Sequence, residues 1–104
     1  MIEWTTPTHR HVVRGIDLSA YDVYVSYKQG RTELSIAADS VEYDGDDTTV
    51  TVSLTQKQTG AFKTGTAKVQ INWVTPDGKR DAVLVKSVEV DENLMQKEVR
   101  YVGA

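Results

Sequence analysis

Hydrophobic and polar residues alternate along several short segments of the chain, which is typical of strands that bury one face. In residues 21–29, every second residue from Tyr21 to Tyr27 is a valine or a tyrosine. Residues 48–54 and 66–74 repeat this alternation with aliphatic side chains. Weaker alternation predicts further strands in residues 9–14, 32–37, 41–43 and 80–90.

Turn-forming residues separate these segments. Gln29-Gly30-Arg31 and Pro76-Asp77-Gly78 each stand between two predicted strands and favour hairpins. Asp44-Gly45-Asp46-Asp47 also has the composition of a turn. In residues 82–85 a continuous apolar run replaces the alternation, which indicates either a β-bulge or a strand buried on both faces.

One segment departs from the strand pattern. Thr55-Gln56-Lys57-Gln58 fits a capping box, in which Thr55 caps a helix and Gln58 reaches back to it. We expect a single helical turn that ends at Gly60, with Phe62 filling the core beneath it. Gly65 then leads the chain into the next strand.

These elements predict an all-β fold: a two-sheet antiparallel immunoglobulin-like β-sandwich of about 7 strands, with one short helical turn near 55–60. A closed small barrel is the alternative. The 15 valines and 12 threonines, against 5 leucines, agree with a strand-rich chain. A chain of 104 residues forms one domain, 1–104, with its core in about 9–90.

The two terminal segments, 1–8 and 91–104, carry more apolar surface than free tails need. Trp4 and Tyr101 lie in these segments, outside the repeating strand pattern. Either the ends pack back on the sandwich, or they are arms that dock on a neighbouring subunit. The predicted interface residues are Trp4, Tyr24, Tyr101 and Val102. Tyr24 lies on the polar face of its strand, as an exposed anchor or as part of a cross-strand pair, whereas Tyr21, Tyr27 and Trp73 are expected in the core.

Composition excludes several classes of function. The absence of cysteine excludes disulfides and thiolate zinc sites. A formal charge of −3 does not favour nucleic-acid binding, and no apolar run is long enough for a membrane helix. Residues 1–4 lack the apolar region of a signal peptide. No nucleotide-binding motif is present, so no cofactor is expected.

Candidate catalytic or metal-binding residues are few. His9 and His11 share a strand face and could both contact a metal, but no third ligand is placed by the sequence. We interpret them as solvent-facing residues. Residues 44–47 lack the spacing of a calcium loop and are interpreted as a solvated turn; the alternative is a weak calcium site, to which Asp39 would add a ligand. The sequence therefore predicts neither a metal site nor an enzyme.

One segment resembles a known group of proteins. Leu54–Gly65 is similar to the L-T-Q-x-x-T-x-x-F-x-x-G run of small proteins in the tail modules of phages and prophages of Gram-positive bacteria. The same run resembles the N-terminal immunoglobulin-like domain of phage baseplate upper proteins. The likeness extends over about residues 12–90, through Arg14–Leu18, Val23–Gly30, Thr66–Trp73, Asp77-Gly78 and Ser87–Val90.

The resemblance implies a non-enzymatic structural protein of a virion, in the tail or baseplate, that packs against other phage structural proteins or further copies of itself. Such a protein would be assembled in the bacterial cytoplasm and would need no cofactor, nucleic acid or membrane. The alternative is a carbohydrate- or receptor-binding module with the same fold. Its sequence-visible candidates are Tyr24 with Asp22, and Asn72 with Gln70.

Overall fold

Two antiparallel sheets pack face to face in the computed structural model, which describes residues 1–102. The elements are β1 (Thr8–Arg14), β2 (Asp22–Gln29), β3 (Thr32–Ala37), β4 (Ser40–Tyr43), β5 (Asp47–Ser53), α1 (Gln56–Gly60), β6 (Gly65–Val74) and β7 (Arg80–Val90). One sheet has the order β1-β5-β4 and the other β3-β2-β6-β7. The predicted sandwich is confirmed, and α1 crosses from one sheet to the other.

The core lies between the sheets because each strand turns its apolar residues inward. Val23, Val25 and Tyr27 of β2 face Val50 and Val52 of β5 across the sandwich, and all are buried. Burying this apolar surface is the main driving force for folding. The remaining core residues are Val13, Leu18, Leu54, Phe62, Ala67, Val69, Ile71, Trp73 and Val90.

A β-bulge interrupts β7, which is the first of the two alternatives that the apolar run left open. Val69 pairs with Lys86, whereas the next residue, Gln70, pairs with Leu84. The extra residue reverses the faces of β7 at this point. Leu84 therefore shares the outer face with Gln70 and is exposed, while Lys86 lies opposite the inward-facing Val69.

The helical turn has the predicted capping box. The backbone N–H of Gln58 donates to Thr55 Oγ1 at 3.2 Å, and the backbone N–H of Thr55 donates to Gln58 Oε1 at 2.8 Å. Phe62 is fully buried directly after the helix, as expected. Among residues 1–102, no helix is long and apolar enough to cross a membrane.

The first residues of the chain pack on the sandwich. Ile2 forms a parallel bridge with Asp91, just past β7. The Asp91 N–H donates to the Met1 carbonyl at 2.7 Å, and the Glu3 N–H donates to the Asp91 carbonyl at 3.0 Å. The indole of Trp4 lies against Gly60 of α1, where an added Cβ would collide with the ring. Gly103 and Ala104, the last residues of the predicted 91–104 arm, lie outside the described residues.

Candidate functional site

A groove runs over the outer face of the four-stranded sheet. Its floor is low where Ser26 of β2 pairs with Ser35 of β3, because two short side chains lie side by side there, and Gln70 of β6 pairs with Ser26 on the other side. The two serine hydroxyls lie 2.7 Å apart. The main hollow has a volume of about 330 Å³ and is also lined by Lys28, Glu33, Lys68, Asn72, Arg80 and Leu84.

Asn72 is held rigidly at the centre of this groove. Its side chain is only 8% exposed although it belongs to the outer face. Asn72 Nδ2 donates to Gln70 Oε1 at 3.3 Å, and Arg80 Nη2 donates to Asn72 Oδ1 at 3.2 Å. Buried amide groups need such partners. The three side chains therefore form a connected polar row that presents hydrogen-bonding groups to the groove.

Tyr24 extends the groove at one end. It pairs with Asn72 across β2 and β6, and the residue is 39% exposed. A second hollow of about 250 Å³ lies there, lined by Tyr24 and Val74 together with residues of the first hollow. The structure thus brings Tyr24, Gln70 and Asn72 onto one surface, while Asp22 lies beyond Tyr24 on the same strand face.

Arg80 and Ser35 belong to this surface, but sequence reasoning missed both. Their strands β7 and β3 were predicted, and so were the hairpin turns that join them to β6 and β2. Which residue of one strand lies opposite which residue of the next was not predicted.

The C-terminal segment, residues 93–102, is attached to the domain by polar contacts. The buried Glu3 carboxylate accepts from the Asn93 N–H at 3.3 Å and from Gln96 Nε2 at 2.9 Å. Gln56 of α1 binds both backbone groups of Val99, at 2.6 and 2.7 Å. The apolar side chains of the segment face solvent: Leu94 is 96% exposed, Tyr101 95% and Val102 91%.

The four predicted interface residues do not form one surface. Tyr24 lies in the groove of the outer sheet face. Trp4 is half-buried against α1 and donates through Nε1 to Gln96 Oε1 at 3.3 Å. Tyr101 and Val102 follow the Val99 contact with α1 and are exposed.

The prediction that His9 and His11 face solvent is wrong. His11 is only 1% exposed and His9 is half-buried, because both share the inward face of β1 with Val13. The Tyr27 hydroxyl lies between them, 2.7 Å from His9 Nδ1 and 2.9 Å from His11 Nε2. The alternation with Val13 was the signal that pointed to this burial. No group of three histidine, aspartate or glutamate side chains able to hold a metal occurs in residues 1–102.

Burial controls the protonation of this cluster. It lowers the pKa of His11 to about 4, with a further contribution from the positive charges of His9 and Lys86. The pKa of His9 is lowered for the same main reason, with the Met1 amino group and Lys86 adding to the effect. Burial raises the pKa of Tyr27. All three groups are therefore neutral near pH 7, and the hydroxyl can share its hydrogen bonds with both imidazoles.

The acidic turn between β4 and β5 is built from its own carboxylates. Asp44 Oδ1 accepts from the backbone N–H groups of Asp46 and Asp47, at 2.9 and 2.8 Å, which lowers the pKa of Asp44. Asp47 Oδ1 accepts from the Gly15 N–H at 3.0 Å, and Asp39 Oδ2 from the Ser53 N–H at 2.7 Å. The Asp44 contacts thus stabilise the turn itself, whereas Asp47 and Asp39 bind backbone N–H groups of other segments.

Comparison of the chain with protein-family models, with curated proteins and with solved structures finds no match.

Proposed function

We propose that this protein is a non-enzymatic structural component of a phage or prophage virion, in the tail or baseplate, and that it acts by packing against neighbouring subunits. The place in a virion rests on the likeness of Leu54–Gly65 to phage tail-module proteins. The mode of action rests on one structural observation, the orientation of the C-terminal segment.

In an ordinary surface segment, apolar side chains contact the domain and polar groups face solvent. The C-terminal segment has the reverse arrangement. Asn93, Gln96 and the Val99 backbone use their polar groups to hold the domain, whereas Leu94 and Tyr101 extend into solvent. Five exposed large apolar residues, Leu94, Met95, Val99, Tyr101 and Val102, lie in this one segment, and apolar surface concentrated in this way marks sites of protein association. Burying one such side chain contributes about 1.5–3 kcal/mol. A partner that covers it therefore gains binding free energy.

Two kinds of partner fit this surface, namely other structural proteins of the particle and further copies of the chain. The strands β3 and β4 stand at sheet edges, where backbone groups are free to extend a partner's sheet. Structural parts of this kind usually form closed symmetric assemblies. The protein would be incorporated into the particle in the bacterial cytoplasm.

Solution mass by light scattering, measured over a concentration series, tests the packing. We expect a defined oligomer for the full chain and a smaller species for the Leu94→Ser, Tyr101→Ser double variant. Val12→Ser is the matched control, because Val12 is an exposed apolar residue on β1 of the three-stranded sheet, outside the C-terminal segment. An unchanged mass in the double variant would rule out the C-terminal segment as the contact, and a monomer at every concentration would exclude self-association.

The virion location is tested separately. Particles purified from an induced lysogen that encodes the chain should contain it in a fixed ratio to the other tail proteins, as measured by quantitative mass spectrometry. Its absence from intact particles would exclude a structural role in the virion.

A further inference from the structure

The groove on the outer sheet face takes no part in the packing proposed above. Its two hollows, of about 330 and 250 Å³, share Ser26, Ser35, Asn72 and Arg80 and so form one continuous surface. Small-molecule sites begin at about 300 Å³. The groove therefore fits one or two ring-sized units of a polar ligand, and it is too short for a folded partner.

The groove is rich in hydrogen-bond donors that have no partner within residues 1–102. Arg80 uses one N–H on Asn72 and keeps the rest of its planar donor set. Gln70 accepts from Asn72, so its own amide N–H groups are free. Because Asn72 is buried and hydrogen-bonded on both sides, these donors are fixed in place before a ligand arrives, which lowers the entropic cost of binding.

The charge of the groove is opposite to that of the chain. Lys28, Lys68 and Arg80 line it against a single carboxylate, Glu33, which pairs with Lys28 at 3.1 Å. Lys68 and Arg80 form no ion pair within the described residues. A cationic hollow on a protein with a formal charge of −3 favours an anionic ligand, and an arginine binds carboxylate and phosphate oxygens especially well.

The end of the groove at Tyr24 adds an aromatic ring to the hydrogen-bonding and cationic groups, and Arg80 lines this end as well. Tyr24 offers a partly exposed aromatic ring beside Asn72 and Val74. An aromatic face packs well against a flat ligand surface while its hydroxyl stays wet. Asp22 lies just beyond Tyr24 and repels negative charge from this end. The anionic group of a ligand must therefore lie toward Lys68.

We propose that this groove binds an acidic sugar, which is a sugar ring that carries a carboxylate or a phosphate. The ring packs on Tyr24, its hydroxyls accept from Gln70 and Arg80 and donate to Ser26, and its anionic group lies between Arg80 and Lys68. One groove thus supplies an aromatic face, hydroxyl partners and two cations, and Arg80, which lines both hollows, can bind either the hydroxyls or the anionic group of such a ligand.

Amide chemical-shift titration of the full chain by NMR tests the proposal, at constant ionic strength. The probes are glucuronate and trigalacturonate for a carboxylate, glucose 6-phosphate for a phosphate, and glucose and inorganic phosphate as controls. We expect shifts at Ser26, Ser35, Asn72 and Arg80 with at least one acidic sugar.

Two variants make the assignment specific to the groove. Arg80→Gln should weaken binding of the acidic sugar at least tenfold, and the matched control Arg14→Gln, on the other sheet, should leave it unchanged. Ser26→Val fills the floor of the groove with a good strand-forming residue. It should abolish the shifts while the rest of the spectrum keeps its dispersion.

Each remaining outcome contradicts the proposal. Equal affinity for glucose would show that the cations play no part. Inorganic phosphate binding as tightly as any acidic sugar would reduce the groove to a simple anion site. Failure of all acidic sugars, or unchanged binding in a folded Arg80→Gln protein, would exclude the site itself.

Discussion

His11 is a titratable residue in a core position of β1, and its neighbours explain how the fold accommodates it. Its Nε2 shares the Tyr27 hydroxyl with His9, while its buried Nδ1 has no hydrogen-bond partner in the described chain. Lys86, opposite the inward-facing Val69, adds positive charge that disfavours protonation. The histidine side chain taken alone predicted a surface position. Its alternation with Val13 along β1 instead places it on the buried face.

This burial makes stability depend on pH. The unfolded chain binds a proton at His11 below its ordinary pKa of 6.5, but the folded chain does so only near a pKa of about 4. Protons therefore favour the unfolded state in this range, and the stability is lost as the pH falls from about 6.5 to about 4. We expect a loss of about 2–3 kcal/mol, measured by urea unfolding at a series of pH values.

Substitution separates His11 from its neighbours. His11→Asn removes the titrating group and should flatten the pH dependence of the unfolding free energy between pH 4 and 6.5. His9→Asn should flatten it less, since His9 is only half-buried. A steep dependence that survives in His11→Asn would show that other groups are responsible.

The crossover between the sheets is the element that sequence reasoning described most completely. Its signals are local: Thr55 and Gln58 cap the helix three residues apart, and Phe62 follows within one turn. The groove could not be derived in the same way, because it depends on pairing between β3, β2, β6 and β7. Ser35 and Arg80 enter it through the registers of the β2–β3 and β6–β7 hairpins and the pairing of β2 with β6, which a single sequence does not specify.

Burial of Phe62 stabilises the crossover between the sheets. Its side chain is fully buried and meets the Tyr27 ring edge-on, with ring centroids 6.4 Å apart. Phe62→Ala should lower the free energy of unfolding by about 3–5 kcal/mol, because it removes apolar contacts and leaves a cavity. Leu84→Ala, at an exposed position on β7, is the control and should cost far less. A loss below about 1 kcal/mol for Phe62→Ala would contradict its role in the core.

At the scale of the whole molecule, the alternation and the turns were enough to predict the sandwich, because both sheets bury one face of each strand. The chain ends were not predictable from composition. Ile2 and Trp4 contribute to packing on the domain, whereas Leu94 and Tyr101 remain exposed. Both terminal segments contain apolar residues, so composition did not distinguish them. The buried Glu3 binds Asn93 and Gln96, and these contacts turn the polar groups of the C-terminal segment toward the domain.

The parallel bridge between Ile2 and Asp91 also has a mechanical consequence. Two backbone hydrogen bonds and one from the Met1 amino group to the Glu89 carbonyl join residues 1–3 to residues 89–91, and the two segments run in the same direction. Tension between the two ends of the domain would load these bonds together in shear, whereas an antiparallel closure would open one bond at a time. We expect a high unfolding force in single-molecule pulling from the two ends. Replacement of Ile2 by proline, which distorts this segment, should lower that force.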